Sequence, residues 1–124
     1  MYDLKRIKSE AFAVRIVKLN EYLIKKKEFH ISDQIVRSGT SVGANVAESL
    51  YAESDNDLIH KLSVSLKEAS ETRFWLNVLY QGKYIGEKLH HSLLEDCEEL
   101  IRILVAIRNS VKNKKGNSDK ENNV

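Results

Sequence analysis

Among the residues that could do chemistry, two short pairs stand out: Glu87 with His90, and the weaker Asp57 with His60. Three residues apart on a helix, a carboxylate and an imidazole share one face. Two such pairs on facing helices of a bundle can hold a dinuclear metal site. Here each pair falls where a helix begins, and antiparallel neighbours begin at opposite ends, so the pairs cannot converge. The arginine-then-histidine spacing of helical ribonucleases is missing too: His60 follows Arg37 at a distance, and no histidine comes after His91. Cys97 falls inside an apolar seam, where a thiol behaves as a small apolar group. His90 and His91 belong to a helix start and to the surface. There is no glycine-rich phosphate loop and no Ser/His/Asp set that a helical layout would bring together. These residues imply no enzyme, no cofactor and no metal.

Polar residues in stripes are more informative. Gln34, Ser38, Ser41, Asn45 and Glu48 recur at helical spacing beside an apolar seam, and Val64, Glu68, Glu71, Trp75 and Val78 do the same further on. The simplest account of either stripe is a solvated face. Phe74, Trp75 and Val78 exceed what one core face needs, however, and apolar residues with fixed polar groups are how subunit interfaces look. Arg37 is the only lysine or arginine between Glu28 and Glu53, which makes it the natural partner of Glu68 or Glu71. Arg37, Ser38, Ser41, Asn45, Glu48, Glu68, Glu71 and Trp75 are therefore the candidate packing and assembly residues.

Basic residues are unevenly placed. The first periodic segment carries eight lysines and arginines against Asp3, Glu10 and Glu21, about +5 by count. Lys8, Arg15, Lys18 and Lys25 fall on one stripe with Tyr22, and Lys5 lies close by. In an antiparallel bundle the end of the last helix, with Arg108 and Lys112, adds to that edge, which could hold phosphates without sequence preference. An ordinary solvated face explains the same pattern.

The elements that position these residues are helices. Leu4, Ile7, Ala11, Val14, Val17, Glu21 (with Tyr22) and Ile24 recur at three and four, with Phe12, Ile16, Leu19 and Leu23 widening the stripe, which predicts a helix from about Asp3 to Lys27. A second helix runs from Ser32, a candidate cap with Asp33, to about Tyr51. Gly39 and Gly43 inside it imply close packing, since each costs about 1 kcal/mol against alanine. Ser54 opens a third helix that Gly82 stops, and a fourth follows Gly86 with Leu89, Leu93, Cys97, Leu100, Leu104, Ile107 and Val111 on one face. Residues 113–124 hold no apolar side chain before Val124 and read as a disordered polar tail. The prediction is an all-α, antiparallel up-down four-helix bundle over residues 1–112.

Bulk properties agree. The 124 residues make one domain, with 42% apolar residues, five glycines and no proline. A net charge of +2 gives no bulk argument for nucleic acid or an anionic membrane. One cysteine excludes an internal disulfide framework. No secretion signal or bilayer-length apolar run is present, so a cytoplasmic location is expected.

The stretch from Gln34 to Glu48, with Arg37, Ser38, Ser41 and Asn45, resembles the hallmark of the four-helix-bundle proteins encoded in intervening sequences of bacterial 23S ribosomal RNA genes. Leu58-Ile59-His60-Lys61-Leu62 and the run from Lys67 to Leu76 are similar to further motifs of that family. The resemblance covers nearly the whole chain to about Val111. It departs at Ser49, where glycine is usual, and at Ala52 and Glu53, where a basic residue is often found. It implies a homopentamer without enzymatic activity. A related group serves as accessory subunits of reverse transcriptases, which sets two expectations: an oligomeric scaffold with weak RNA binding, or an adaptor for a nucleic-acid-handling protein.

Overall fold

The computed structural model describes residues 3–122, with side chains as far as Ser118. Four helices follow one another: α1 (Leu4–Lys25), α2 (His30–Ser49), α3 (Asp55–Gln81) and α4 (Glu87–Asn122), and no strand occurs among the described residues. Links of four or five residues force each helix back along its predecessor. Cross-helix partners confirm the antiparallel register. Ser9 meets Gly43 while Ile16 meets Gly39. Ser65 bonds to Val42 while Thr72 meets Ser38. The chain is an all-α up-down bundle with one core, built from residues such as Ile16, Ile35, Leu76 and Leu104.

Helix ends show which local signals acted. Asp3 caps α1 by accepting from the Arg6 amide at 3.3 Å, and Ser54 caps α3 by accepting from the Asp57 amide at 3.0 Å. Ser32, predicted to cap α2, does not: it is buried inside the helix and bonded to Asn20. The helix starts at His30, and the Glu28 carboxylate accepts from the Ile31 amide at 2.8 Å instead. Gly82 ends α3 without the left-handed backbone expected of it. Its φ is −79°, and the left-handed residue is Lys83 at 66°, matched by Lys27 at 62° after α1. Both lysines sit in the same closing motif, with Glu28 donating to the Leu23 carbonyl at 3.0 Å and Tyr84 to the Leu79 carbonyl at 2.9 Å.

α1 corrects the predicted core seam. Leu4, Ile7, Val14, Val17 and Ile24 are exposed, while Phe12, Ile16, Leu19 and Leu23, with Ser9, face inward. Both sets have helical spacing, so α1 is apolar on two sides and the bundle uses one. Beyond Val111, where the composition predicts a disordered tail, α4 continues as helix to Asn122. Extension costs little once a helix is nucleated, and no proline interrupts it. Residues 123–124 of that predicted tail, and residues 1–2, lie outside the described residues.

Close approach of α2 to its neighbours rests on small residues. A Cβ on Gly39 would come within 2.8 Å of the Ile16 side chain, and one on Gly43 within 3.2 Å of the Ser9 carbonyl. Gly39→Ala should therefore destabilise the fold by about 1–3 kcal/mol through overpacking, although alanine is the better helix former. Urea denaturation checks this, and an unchanged or raised midpoint would contradict close packing there.

Candidate functional site

The polar stripes of α2 and α3 meet across their shared groove. Arg37 places Nη1 3.0 Å from the Glu68 carboxylate and bonds to Glu71 through Nη2. The Trp75 indole N–H donates to the same Glu71 carboxylate at 3.0 Å. Arg37 and Glu71 become neighbours because α2 and α3 are antiparallel, and Glu68, Glu71 and Trp75 share one side of α3. The Trp75 hydrogen bond and the Arg37 guanidinium hold the Glu71 carboxyl below the usual carboxylate range, and Arg37 is held correspondingly above its own. Below Arg37 the stripe turns inward on its own backbone: Ser41 donates to the Arg37 carbonyl at 2.6 Å, and Asn45 to the Ser41 carbonyl at 2.9 Å. Ser38 is fully buried, 2.8 Å from the Thr72 hydroxyl, and Glu48 pairs with Lys61 at 3.2 Å. The predicted Arg37 partnership forms, and Arg37, Ser38 and Glu48 join α2 to α3 within one chain, while Ser41 and Asn45 bond within α2.

The basic edge is only partly available. Lys8 pairs with Glu99 at 2.9 Å, Arg15 with Asp96 at 2.7 Å, and Lys5 with Asp3 at 3.1 Å. Arg108 turns its Nε into the protein with no hydrogen-bond partner. Lys18, Lys25 and Lys112 remain exposed. Of the seven predicted phosphate contacts, Lys5, Lys8 and Arg15 are thus paired internally, Arg108 is partly buried, and Lys18, Lys25 and Lys112 are exposed.

The outer side of α1, whose apolar residues have core-like spacing, lies open to solvent. Val14 is 52% exposed, and Leu4, Ile7, Val17 and Ile24 lie open around it. α1 and α4 also approach each other less closely than the other neighbouring pairs. Between them opens a cavity of about 310 Å³ lined by Arg15, Lys18, Leu19, Tyr22, Leu89 and Leu93. The signal was present in the sequence, since α1 has more apolar residues than one core face needs. On α3, Phe74 is 56% exposed and packs edge-on against Trp75 at 4.9 Å between ring centres.

The remaining candidates sit apart. Burial pushes the Cys97 thiol up to about 12, so it is protonated at neutral pH, and it donates to the Ala69 carbonyl at 3.3 Å. His90 stacks on Tyr80 at 4.3 Å and lies 2.8 Å from the Asn77 side-chain oxygen, while His60 is exposed at the opposite end of α3. Among the described residues no three His, Cys, Asp or Glu side chains converge as metal ligands would. Among the described residues no helix is long and apolar enough to cross a membrane.

Comparison with known proteins agrees with this architecture. The model of the 23S rRNA-intervening sequence protein family matches residues 6–106. A crystal structure of a protein of unknown function from the S23 ribosomal protein family of Bacteroides thetaiotaomicron is 44% identical, covers 85% of this chain and 98% of its own, and superposes with a TM-score of 0.84. No curated protein matches.

The Glu71 cluster carries a pH signature. Its carboxyl is depressed in the folded state, so its contribution is complete above the unfolded value near about 4.3 and is lost as pH falls through the lower folded value. Glu71→Gln should cost under about 1 kcal/mol at pH 7, the range for a pair this exposed. That deficit should shrink as the pH drops below about 4. Urea titrations of both proteins at pH 7 and pH 3 measure it, and a deficit independent of pH would sink the assignment.

Proposed function

The chain belongs to the 23S rRNA-intervening sequence protein family, and we propose that it works as a non-enzymatic oligomeric scaffold of five copies with weak affinity for RNA. The observation that carries this reading is the second apolar face of α1. A solvent-exposed helix normally keeps one apolar side, and a helix apolar on two sides has a second partner. Leu4, Ile7, Val14, Val17 and Ile24 are left exposed by the described residues, so another protein surface is their natural cover. The family resemblance supplies the number of copies.

RNA affinity rests on less. Lys18, Lys25 and Lys112 are exposed, whereas Lys8 and Arg15 already answer carboxylates of α4. Three available cations support loose phosphate contact without sequence readout. A protein-binding adaptor, such as a subunit accessory to a nucleic-acid-handling enzyme, is the second reading. The same internal ion pairs favour it, because they reduce the charge left for RNA.

Light scattering should find a mass several times that of the monomer, and Val14→Asp should lower it while leaving helical content unchanged. A wild-type mass equal to the monomer at all concentrations would remove the scaffold reading. In a fluorescence-anisotropy titration RNA should bind at low salt, with log affinity falling against log salt at a slope of about −2 for three single-strand phosphate contacts. Absence of binding at low salt would leave the adaptor.

A further inference from the structure

The chain carries a knob and a socket of opposite charge at different places on its surface. The knob is the turn between α2 and α3. Tyr51, 85% exposed, is the most exposed large apolar side chain among the described residues, and Leu50 beside it is 52% exposed. Around them stand Glu53, Asp55 and Asp57, all within six residues. The turn is held in shape. Tyr51 donates its amide to the Glu48 carbonyl at 3.0 Å, Ser54 accepts from the Asp57 amide at 3.0 Å, and the Asp57 carboxylate accepts from the Glu53 amide at 3.1 Å. A projecting aromatic on a fixed turn loses little freedom on docking.

The socket is the cavity between α1 and α4. Leu19 and Leu93 form its buried floor, Tyr22 and Leu89 its half-open walls, and its volume of about 310 Å³ has room for an aromatic ring. Its rim is basic. Lys18 has no ionic partner among the described residues, Lys25 lies on the same side of α1, and the Lys26 ammonium sits 4.8 Å from the centre of the Tyr22 ring. The socket lies toward the opposite end of the bundle from the knob.

We propose that the α2–α3 turn of one copy docks into the α1–α4 socket of the next, with Tyr51 between Tyr22 and Leu89 and the acidic collar against Lys18 and Lys25. This rests on the scaffold reading and names a second contact, beside the apolar face of α1, that its copies need in order to join. Knob and socket cannot reach each other within one chain, because they lie toward opposite ends of the bundle. Charge selects the occupant: an apolar hollow with a cationic rim accepts an apolar group with an anionic collar, and the chain itself carries one. Two different patches make the contact heterologous, the kind that repeats head to tail and closes into a ring when the angle allows.

A mixing experiment tests this. Tyr51→Asp removes the knob and keeps the socket; Leu89→Asp removes the socket and keeps the knob. Circular dichroism and thermal melting confirm that each is folded, and Lys18→Glu replaces Leu89→Asp if that variant is not. By light scattering each variant alone should be monomeric, and an equimolar mixture should give a one-to-one heterodimer of twice the monomer mass. Added salt should weaken that pair. Variants that keep the wild-type mass would overturn the docking and leave the scaffold standing on another contact. Monomeric variants that fail to pair on mixing would overturn it equally. A wild-type protein that is itself monomeric would instead remove the scaffold reading on which the proposal rests.

Discussion

The close approach of α2 to both of its neighbours is the constraint on which the rest of the bundle depends. Gly39 leaves room for Ile16, and Gly43 for the backbone at Ser9. On the other side, Ser65 donates at 2.8 Å to the carbonyl of Val42, an interhelical bond that only tight packing permits. Ser38 and Thr72 place two hydroxyls 2.8 Å apart in the buried interface between α2 and α3. Small side chains bring the helices together, and their hydroxyls answer one another or a carbonyl, so little desolvation cost remains. The Arg37 cluster then closes the same groove at its solvent edge.

With α2 held this way, α1 is fixed by what packs against α2. Its inner face must present Ser9, Ile16 and Asn20 to α2, and that rotation turns Ile7 and Val14 to the outside. The looser seam between α1 and α4 follows, along with the cavity that opens there. The surface available to partners is thus a by-product of the tightest internal contact. Ion pairs act in the same direction. Arg15 and Lys8 reach across the loose seam to Asp96 and Glu99, and the charge they spend inside the molecule is no longer offered to phosphates.

Buried reactive groups are quiet for related reasons. Cys97 lies under the helices with its proton bonded to a backbone carbonyl. The Arg37 cluster is electrostatically organised, but its charges are answered inside it, Glu68 and Glu71 by Arg37 and Glu71 also by Trp75, which is what a structural clamp does. Perturbed titration alone does not distinguish a clamp from an active site, and here the geometry does.

Much was legible in the sequence because helix formation and helix ends are local. The number of helices, the Ser54 cap and the tight glycines of α2 follow from spacing and residue type. So does the pairing of Arg37 with Glu68 and Glu71, since no other lysine or arginine lies on that stretch of α2. Ser32 misled because a serine near a helix start can either cap it or be buried inside it, and the choice depends on whether Asn20 of another helix faces it. The left-handed turn at Lys83 rather than Gly82 likewise turns on one residue of phase in the closing hydrogen bonds. What only the tertiary structure decided was orientation. Helical periodicity shows that α1 has apolar residues on two sides, but a single helix carries no record of which side its neighbours will cover. Likewise it cannot show that Lys8 and Arg15 will find carboxylates on the last helix. Those outcomes belong to rotation and register between helices, which the packing of α2 sets.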